Sequence, residues 1–200
     1  DLDQFIPPRI LGDSPYEEQG LNITYTGHLY DYKGIPTILE TAKIHPQFNF
    51  HLVGGLDEDI IRHKKIAEKN ELNNVFFHGF VIQKNLPPYL WHADVLLLPP
   101  SANHPSAAWT SPVKLGEYMA SGTPIVATDI PALKYWLDDS LVEFASADSA
   151  KALATAITAV LKHIPEVHIK ERIQRCRDQA VIWSYKNRTL RILKHAQIVN

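Results

Sequence analysis

Asn22-Ile23-Thr24-Tyr25-Thr26-Gly27 is a short β-type run that stops at a glycine, and Ile35, Ile38, Leu39 and Ala42 follow it at helical spacing. β-Branched and aromatic residues, a turn and then a 3.6-residue period describe a strand feeding a helix. The same change of period recurs along the chain. Phe48 to Val53 ends at Gly54-Gly55, Val75 to His78 ends at Gly79, and Asp94 to Leu98 ends at Pro99-Pro100. Ile125 to Thr128 gives a fifth strand and Leu141 to Phe144 a sixth. Leu115, Tyr118 and Met119 mark another helix face, and Leu153, Ile157, Val160 and Leu161 a third. Ser184 is placed as the N-cap of a terminal helix running towards Ile198. Several strands are apolar on both faces, as strands covered by helices on two sides should be. The pattern predicts an α/β fold: a doubly wound, Rossmann-like parallel sheet of about six strands with helices on both faces.

Composition narrows the classes. The 200 residues are 45% hydrophobic and 21% charged, with a formal net charge of −2. That is enough to bury one core and offers no basic excess for nucleic acid. Cys176 is the only cysteine, so neither an internal disulfide nor a Cys-based zinc site is available, and a reducing, cytoplasmic setting is expected. No run approaches the roughly 18 apolar residues of a membrane span. The acidic N-terminus lacks the basic and apolar regions of a signal peptide. Starting without Met, the chain reads as a piece of a longer one. Residues 1–21, rich in proline and acids, read as a linker and N-terminal extension, and residues 22–200 as a single domain without internal repeats.

In such a sheet, ligands bind beyond the carboxyl ends of the strands. The loop after the first strand carries Gly27 to Gly34, and the loop after the fourth runs from Pro99 to Ser111, longer than the ~2–6 residues usual for an α/β connection. It ends in Ser111-Pro112, a favoured N-cap followed by a favoured first helical residue. The amides of Val113 and Lys114 would then point out of the helix start, where phosphate binds readily; the plain alternative is a helix start with no ligand. Glu117 shares a face with Lys114. It suits two neighbouring hydroxyls, as on a ribose, or a surface pair with the lysine. Gly116 and the Ala120-Ser121-Gly122 turn leave little side-chain bulk nearby. Lys33 stands at a helix start, where the dipole opposes a cation; a bound diphosphate would remove that conflict, and a solvated lysine there costs only a few tenths of a kcal/mol. His28 is either a second donor beside Lys33 or a hydrogen-bonded structural histidine. Neither a Gly-x-Gly-x-x-Gly fingerprint, a Walker loop nor a Gly-x-Ser-x-Gly elbow is present, which argues against NAD. The acidic pair Asp57 and Asp59 opens a helix, where acids are expected.

These residues, in this order, resemble the C-terminal domain of retaining glycosyltransferases of the GT-B fold, the group 1 or family 4 glycosyltransferases, over nearly the whole chain. Residues 1–7 look like the family's interdomain linker. Tyr25-Thr26-Gly27-His28-Leu29 with Lys33-Gly34 looks like its Gly-Arg-Leu…Lys-Gly segment. Leu52 to Gly55, Val75 to Gly79 and Ala93 to Pro99 match three of its strands. The strongest block is Ser111 to Thr128. Two positions depart from the family pattern: His28 stands where the family usually has Arg, and Trp109 stands where the first Glu of its Glu-x7-Glu motif would reach the transferred sugar.

The resemblance implies one half of a GT-B fold, the donor-binding half of a hexosyltransferase-type enzyme using a UDP- or GDP-linked sugar. Lys33 and His28 would contact the diphosphate and stabilise it as leaving group. Gly27 and the Ser111-Pro112-Val113 turn with Lys114 would complete the phosphate site, Glu117 would hold the ribose, and Phe80 and Val81 would line the base. It implies no cofactor and no metal, an N-terminal acceptor domain of the same protein as partner, no nucleic acid, and a cytoplasmic location with room for peripheral association at the inner face of the membrane. The isolated chain is then expected to transfer nothing. Two alternatives share this pattern: a sugar-nucleotide epimerase of the same architecture, and a non-catalytic domain that has lost donor binding.

Overall fold

The computed structural model describes residues 2–110, 113–163 and 167–196. The first half runs β1 (Asn22–Thr26), α1 (Ile35–Ile44), β2 (Asn49–Val53), α2 (Asp57–Lys69) and β3 (Val75–Gly79). The second runs α3 (Pro87–Trp91), β4 (Val95–Leu98), α4 (Lys114–Ser121), β5 (Ile125–Thr128), α5 (Pro131–Trp136), β6 (Glu143–Ala145) and α6 (Ala150–His163). Two more helices follow, α7 (Val167–Trp183) and α8 (Tyr185–His195). The six strands form one parallel sheet in the order β3-β2-β1-β4-β5-β6. This is the doubly wound arrangement read from the sequence.

Strand β4 shows why both faces must be covered. Val95 and Leu97 join the core against α1 and α6, built from Ile35, Ile38, Leu39, Leu153 and Ile157. Leu96 and Leu98 point the other way, into a core with Leu90, Leu115, Tyr118, Met119 and Leu133. All four β4 residues are at most 3% exposed, and each such burial is worth roughly 1.5–3 kcal/mol. The strand order reverses between β1 and β4, so the crevice at their carboxyl ends is where the loops diverge. Gly34 holds it shut at the base: its φ is +87°, and a Cβ there would lie 1.8 Å from the Pro99 carbonyl oxygen.

The segment before β1 is docked against the domain. Phe5 is buried in the α4-side core, and its carbonyl accepts from Trp91 Nε1 at 2.8 Å. The Tyr16 phenol bonds Thr24 Oγ1 at 2.7 Å, and its ring stacks on His51 at 4.0 Å. His51 lies between His78 (Nδ1 to Nε2, 2.9 Å) and Asn22 (Nε2 to Oδ1, 3.0 Å). Burial, helped by the neighbouring His78, pushes the His51 pKa down to about 3. Burial also lowers His78, although Glu18 and Glu17 oppose the shift.

Several boundaries differ from the sequence reading. β6 covers Glu143–Ala145 rather than Leu141 to Phe144, because the Leu141 and Val142 amides are spent on a turn that closes onto the Asp138 carbonyl. α4 begins at Lys114, with Val113 already in helical dihedrals; the expected cap Ser111 and first helical residue Pro112 lie outside the described residues. Ser184 does cap α8, its hydroxyl accepting from the Asn187 amide, and the described helix ends at His195, so Ile198 lies outside. The 17-residue α7 was not anticipated: its inward positions include Cys176 and Ala180, which barely register as an apolar stripe.

Gly34→Ala should lower folding stability by more than about 1 kcal/mol, read as a shift in urea midpoint at constant slope; an unchanged midpoint would mean that Pro99 is free to move away. A second expectation concerns acid. A histidine kept neutral in the fold binds its proton only in the unfolded chain, so the His51 contribution is complete above the unfolded value near ~6.5 and is lost as pH falls towards about 3. Stability measured by denaturant titration should therefore decline across that window, and His51→Gln should flatten the decline; an identical slope in the variant would contradict this.

Candidate functional site

The site grows out of the carboxyl end of β1. Gly27 has φ +123°, and its amide donates to the Val53 carbonyl at 2.8 Å. Gly54 backs onto it so closely that a Cβ on Gly54 would lie 2.5 Å from the Gly27 oxygen. The Tyr25 hydroxyl donates to the His28 carbonyl at 2.8 Å, fixing the turn. The Tyr118 hydroxyl accepts the Thr26 amide at 2.8 Å, tying the end of β1 to α4.

Lys114, the first residue of α4, runs beneath this turn. Its Nζ donates to the Thr26 carbonyl, lies 3.7 Å from the Tyr25 ring centroid, and would be 3.1 Å from a Cβ on Gly27. Burial holds its pKa well below the ordinary lysine range, the Lys33 charge lowers it further, and Glu117 opposes both. Burial lowers Lys33 too. Two lysine side chains whose charged forms disfavour each other are thus held beside one turn with a carboxylate near them, and an anion is the species that would favour their protonation.

Glu117, half-buried on α4, accepts from Gln83 Nε2 at 3.2 Å, so the loop after β3 meets α4 there. Phe80 and Val81 open that loop, and Phe80 is 79% exposed. His28 is exposed and stacks on Tyr30 (ring centroids 5.0 Å, interplanar angle 4°), so its ring packs against a tyrosine rather than against Lys33. Trp109 is 73% exposed. A cavity of about 530 Å³ reaches Gln83, Val113, Gly116 and Glu117 from the side of Phe5, Trp136 and Trp183. Gly27, Lys33 and Lys114 are not part of its lining; Lys33 is tied to this group by its charge acting on Lys114. A second hollow, about 630 Å³, lies apart along β3 with Glu18, Lys64 and His78.

The structure therefore brings Gly27, Lys33, Lys114 and Glu117 into one neighbourhood, with Val113 at the helix start and Phe80 and Val81 at the neighbouring loop. Ser111 and Pro112 lie outside the described residues. Sequence reading missed Tyr25, Tyr118 and Gln83. Tyr25 and Tyr118 looked like core residues, which they also are, and nothing local marks Gln83. Among the described residues, no group of three or more His, Cys, Asp or Glu side chains is arranged to hold a metal ion, and no helix is long and apolar enough to cross a membrane.

Comparison with known proteins agrees with this architecture. The glycosyltransferase from Rickettsia africae ESF-5 superposes with a TM-score of 0.80 at 16% identity, over 98% of this chain and 55% of that one. Anabaena Alr3699/HepE, crystallised in complex with UDP, superposes with a TM-score of 0.71 at 18% identity, over 88% and 49%. The C-terminal domain of the glycosyl transferase group 1 family protein LpcC from Francisella tularensis gives a TM-score of 0.68 at 17% identity, over 92% and 97%. The chain thus spans about half the length of the first two. At these identities the likeness is one of fold. The sequence model described as "Glycosyl transferases group 1" matches residues 20–163, from just before β1 to the end of α6, and the chain belongs to that family.

Proposed function

We propose that this chain is the donor-binding half of a retaining glycosyltransferase, holding a nucleotide-diphosphate sugar, UDP- or GDP-linked, while an acceptor domain N-terminal to it supplies the other substrate. The observation that carries the reading is the placement of Lys114 and Lys33 at the Gly27 turn with Glu117 alongside. The pair of cations suits a diphosphate, and the carboxylate suits the ribose hydroxyls. That Anabaena HepE was crystallised with UDP, and that a C-terminal domain of a family protein matches along 97% of its length, support it. Residues 1–21 act in this view as the linker between halves.

The chemistry follows from charge. Breaking the bond between the anomeric carbon and the diphosphate leaves negative charge on the diphosphate oxygens. Lys33 and Lys114 meet that charge from fixed positions, with the amides at the start of α4, and little reorganisation is needed as it develops. Val113, just before α4, belongs to the same cradle, while Phe80 and Val81 flank the base. Transfer with retention and without metal is the reaction this set serves, in the cytoplasm or at the inner face of the membrane. Acceptor and any base come from the other half, so the chain alone binds donor weakly and transfers nothing.

Titration calorimetry with UDP, GDP and ADP should give saturable binding of at least one. Lys33→Ala and Glu117→Ala should each weaken it on the order of tenfold or more, the loss expected for a hydrogen bond to a charged group. No saturable heat with any of the three identifies a domain that has lost donor binding, and unchanged affinity in both variants places the site elsewhere. The pH dependence has a definite sign. Both Lys114 and Lys33 are lowered in the free protein; a diphosphate would raise them, so binding takes up protons and affinity should fall as pH rises through the interval between the lowered and the ordinary lysine range. Lys114→Met should bind weakly and show a shallower dependence, Lys33 carrying what remains; a parent affinity that rises with pH would contradict the assignment.

A further inference from the structure

The loops flanking the cradle carry a second feature that phosphate binding does not use. His28, Tyr30 and Tyr32 alternate along the loop after β1, and their rings stack in sequence: His28 on Tyr30 at 5.0 Å, Tyr30 on Tyr32 at 5.5 Å. The fourth ring, His104, comes from the loop after β4 and packs on Tyr32 at 4.0 Å with an interplanar angle of 14°. The two loops are also tied through the backbone, Ser101 donating its amide to the Tyr32 carbonyl at 2.9 Å. His104 is locked in turn: its Nδ1 accepts from the Ser106 amide at 3.2 Å and lies 2.8 Å from Ser106 Oγ. A neutral ring accepting at Nδ1 carries its proton on Nε2, leaving that N–H as a donor.

The polar edges of this stack are unspent. The hydroxyls of Tyr16, Tyr25 and Tyr118 all bond protein groups. Among the described residues, the hydroxyls of Tyr30 and Tyr32 and the Nε2 of His104 bond none, although all three residues are half-buried. Face-to-face contact fixes the rings, so little side-chain freedom remains to be lost when their edges meet a ligand. The stack also sits beside the cradle. His28 follows Gly27, Tyr32 precedes Lys33, and Tyr32 is close enough to Tyr25 to help hold that buried phenol above its ordinary pKa.

From this geometry we infer that the edge of the Tyr30–Tyr32–His104 stack hydrogen-bonds the hydroxyls of the sugar attached to the diphosphate, and so sets which nucleotide sugar is held. The inference rests on the donor-binding function proposed above. It assigns sugar discrimination to one phenol pair and one imidazole supplied by two loops, with the diphosphate cations doing none of it.

The test separates the two readings by comparing a nucleotide with its sugar conjugate, UDP against UDP-glucose and GDP against GDP-mannose, by calorimetry on the chain as it stands. The parent should bind one conjugate more tightly than its nucleotide. The double variant Tyr30→Phe with Tyr32→Phe keeps the rings and removes the hydroxyls. It should lose that preference by on the order of tenfold, the worth of one to two hydrogen bonds, while nucleotide affinity stays within about twofold. His104→Phe should do the same in smaller measure, and Lys33→Ala should weaken nucleotide and conjugate alike. A parent that binds the nucleotides but no conjugate more tightly, or a double variant with the parent's ratio, overturns the sugar-reading role and leaves donor binding intact. Failure of every nucleotide and conjugate to bind the parent overturns both.

Discussion

The arrangement at the ligand edge depends on one contact, the ammonium of Lys114 lodged between the Thr26 carbonyl and the face of the Tyr25 ring. A charge in that position forces the surrounding choices. Position 27 favours glycine, since its φ of +123° is one that side chains rarely adopt and a Cβ would crowd the Lys114 amine at 3.1 Å. Tyr25 must offer its π-face, which attracts a cation. α4 must be pinned to β1, which the Tyr118 hydroxyl does by accepting the Thr26 amide. Burial alone would drive Lys114 to give up its proton, and Lys33 adds to that pressure. A bound anion would relieve that pressure, which is the physical basis of the proposed donor site.

The fold supplies this contact through strand order. β1 and β4 lie side by side at the point where the sheet reverses direction. The helices that follow them therefore leave on opposite faces, α1 into one core and α4 into the other. Lys114 can reach under the β1 turn only because α4 starts on the far side of β4 from α1. The Gly34–Pro99 approach keeps the two loops in register, and the stacked rings continue that register outward. Sheet topology, glycine placement and site electrostatics are thus one constraint seen at three scales.

Much of this was legible in the chain. Strands ending at Gly27, Gly54 and Gly79 announced their carboxyl ends, because the backbone must turn sharply there, and the apolar stripes of α1 and α6 are strong enough to read locally. Lys33, Lys114 and Glu117 stood out by position relative to predicted helix starts and by resemblance to the family. What could not be read were contacts between distant residues. Nothing near Tyr118 says that its hydroxyl serves Thr26, and Gln83 meets Glu117 across the gap between β3 and α4. Helix α7 hid because small and polar residues fill much of its inward face. His28 was weighed as a partner of Lys33, yet it packs on Tyr30, a choice made by two neighbouring aromatics that sequence reading had passed over.

The central claim is that Gly27, Lys33 and Lys114 form one anion site. The most direct measurement is a nuclear magnetic resonance titration with UDP and with GDP that follows the backbone amide of Gly27 and the side-chain resonances of the two lysines. The account predicts that all three move together along one saturation curve with the nucleotide that binds. Resonances that stay fixed while others, such as those along β3, shift on binding would contradict it.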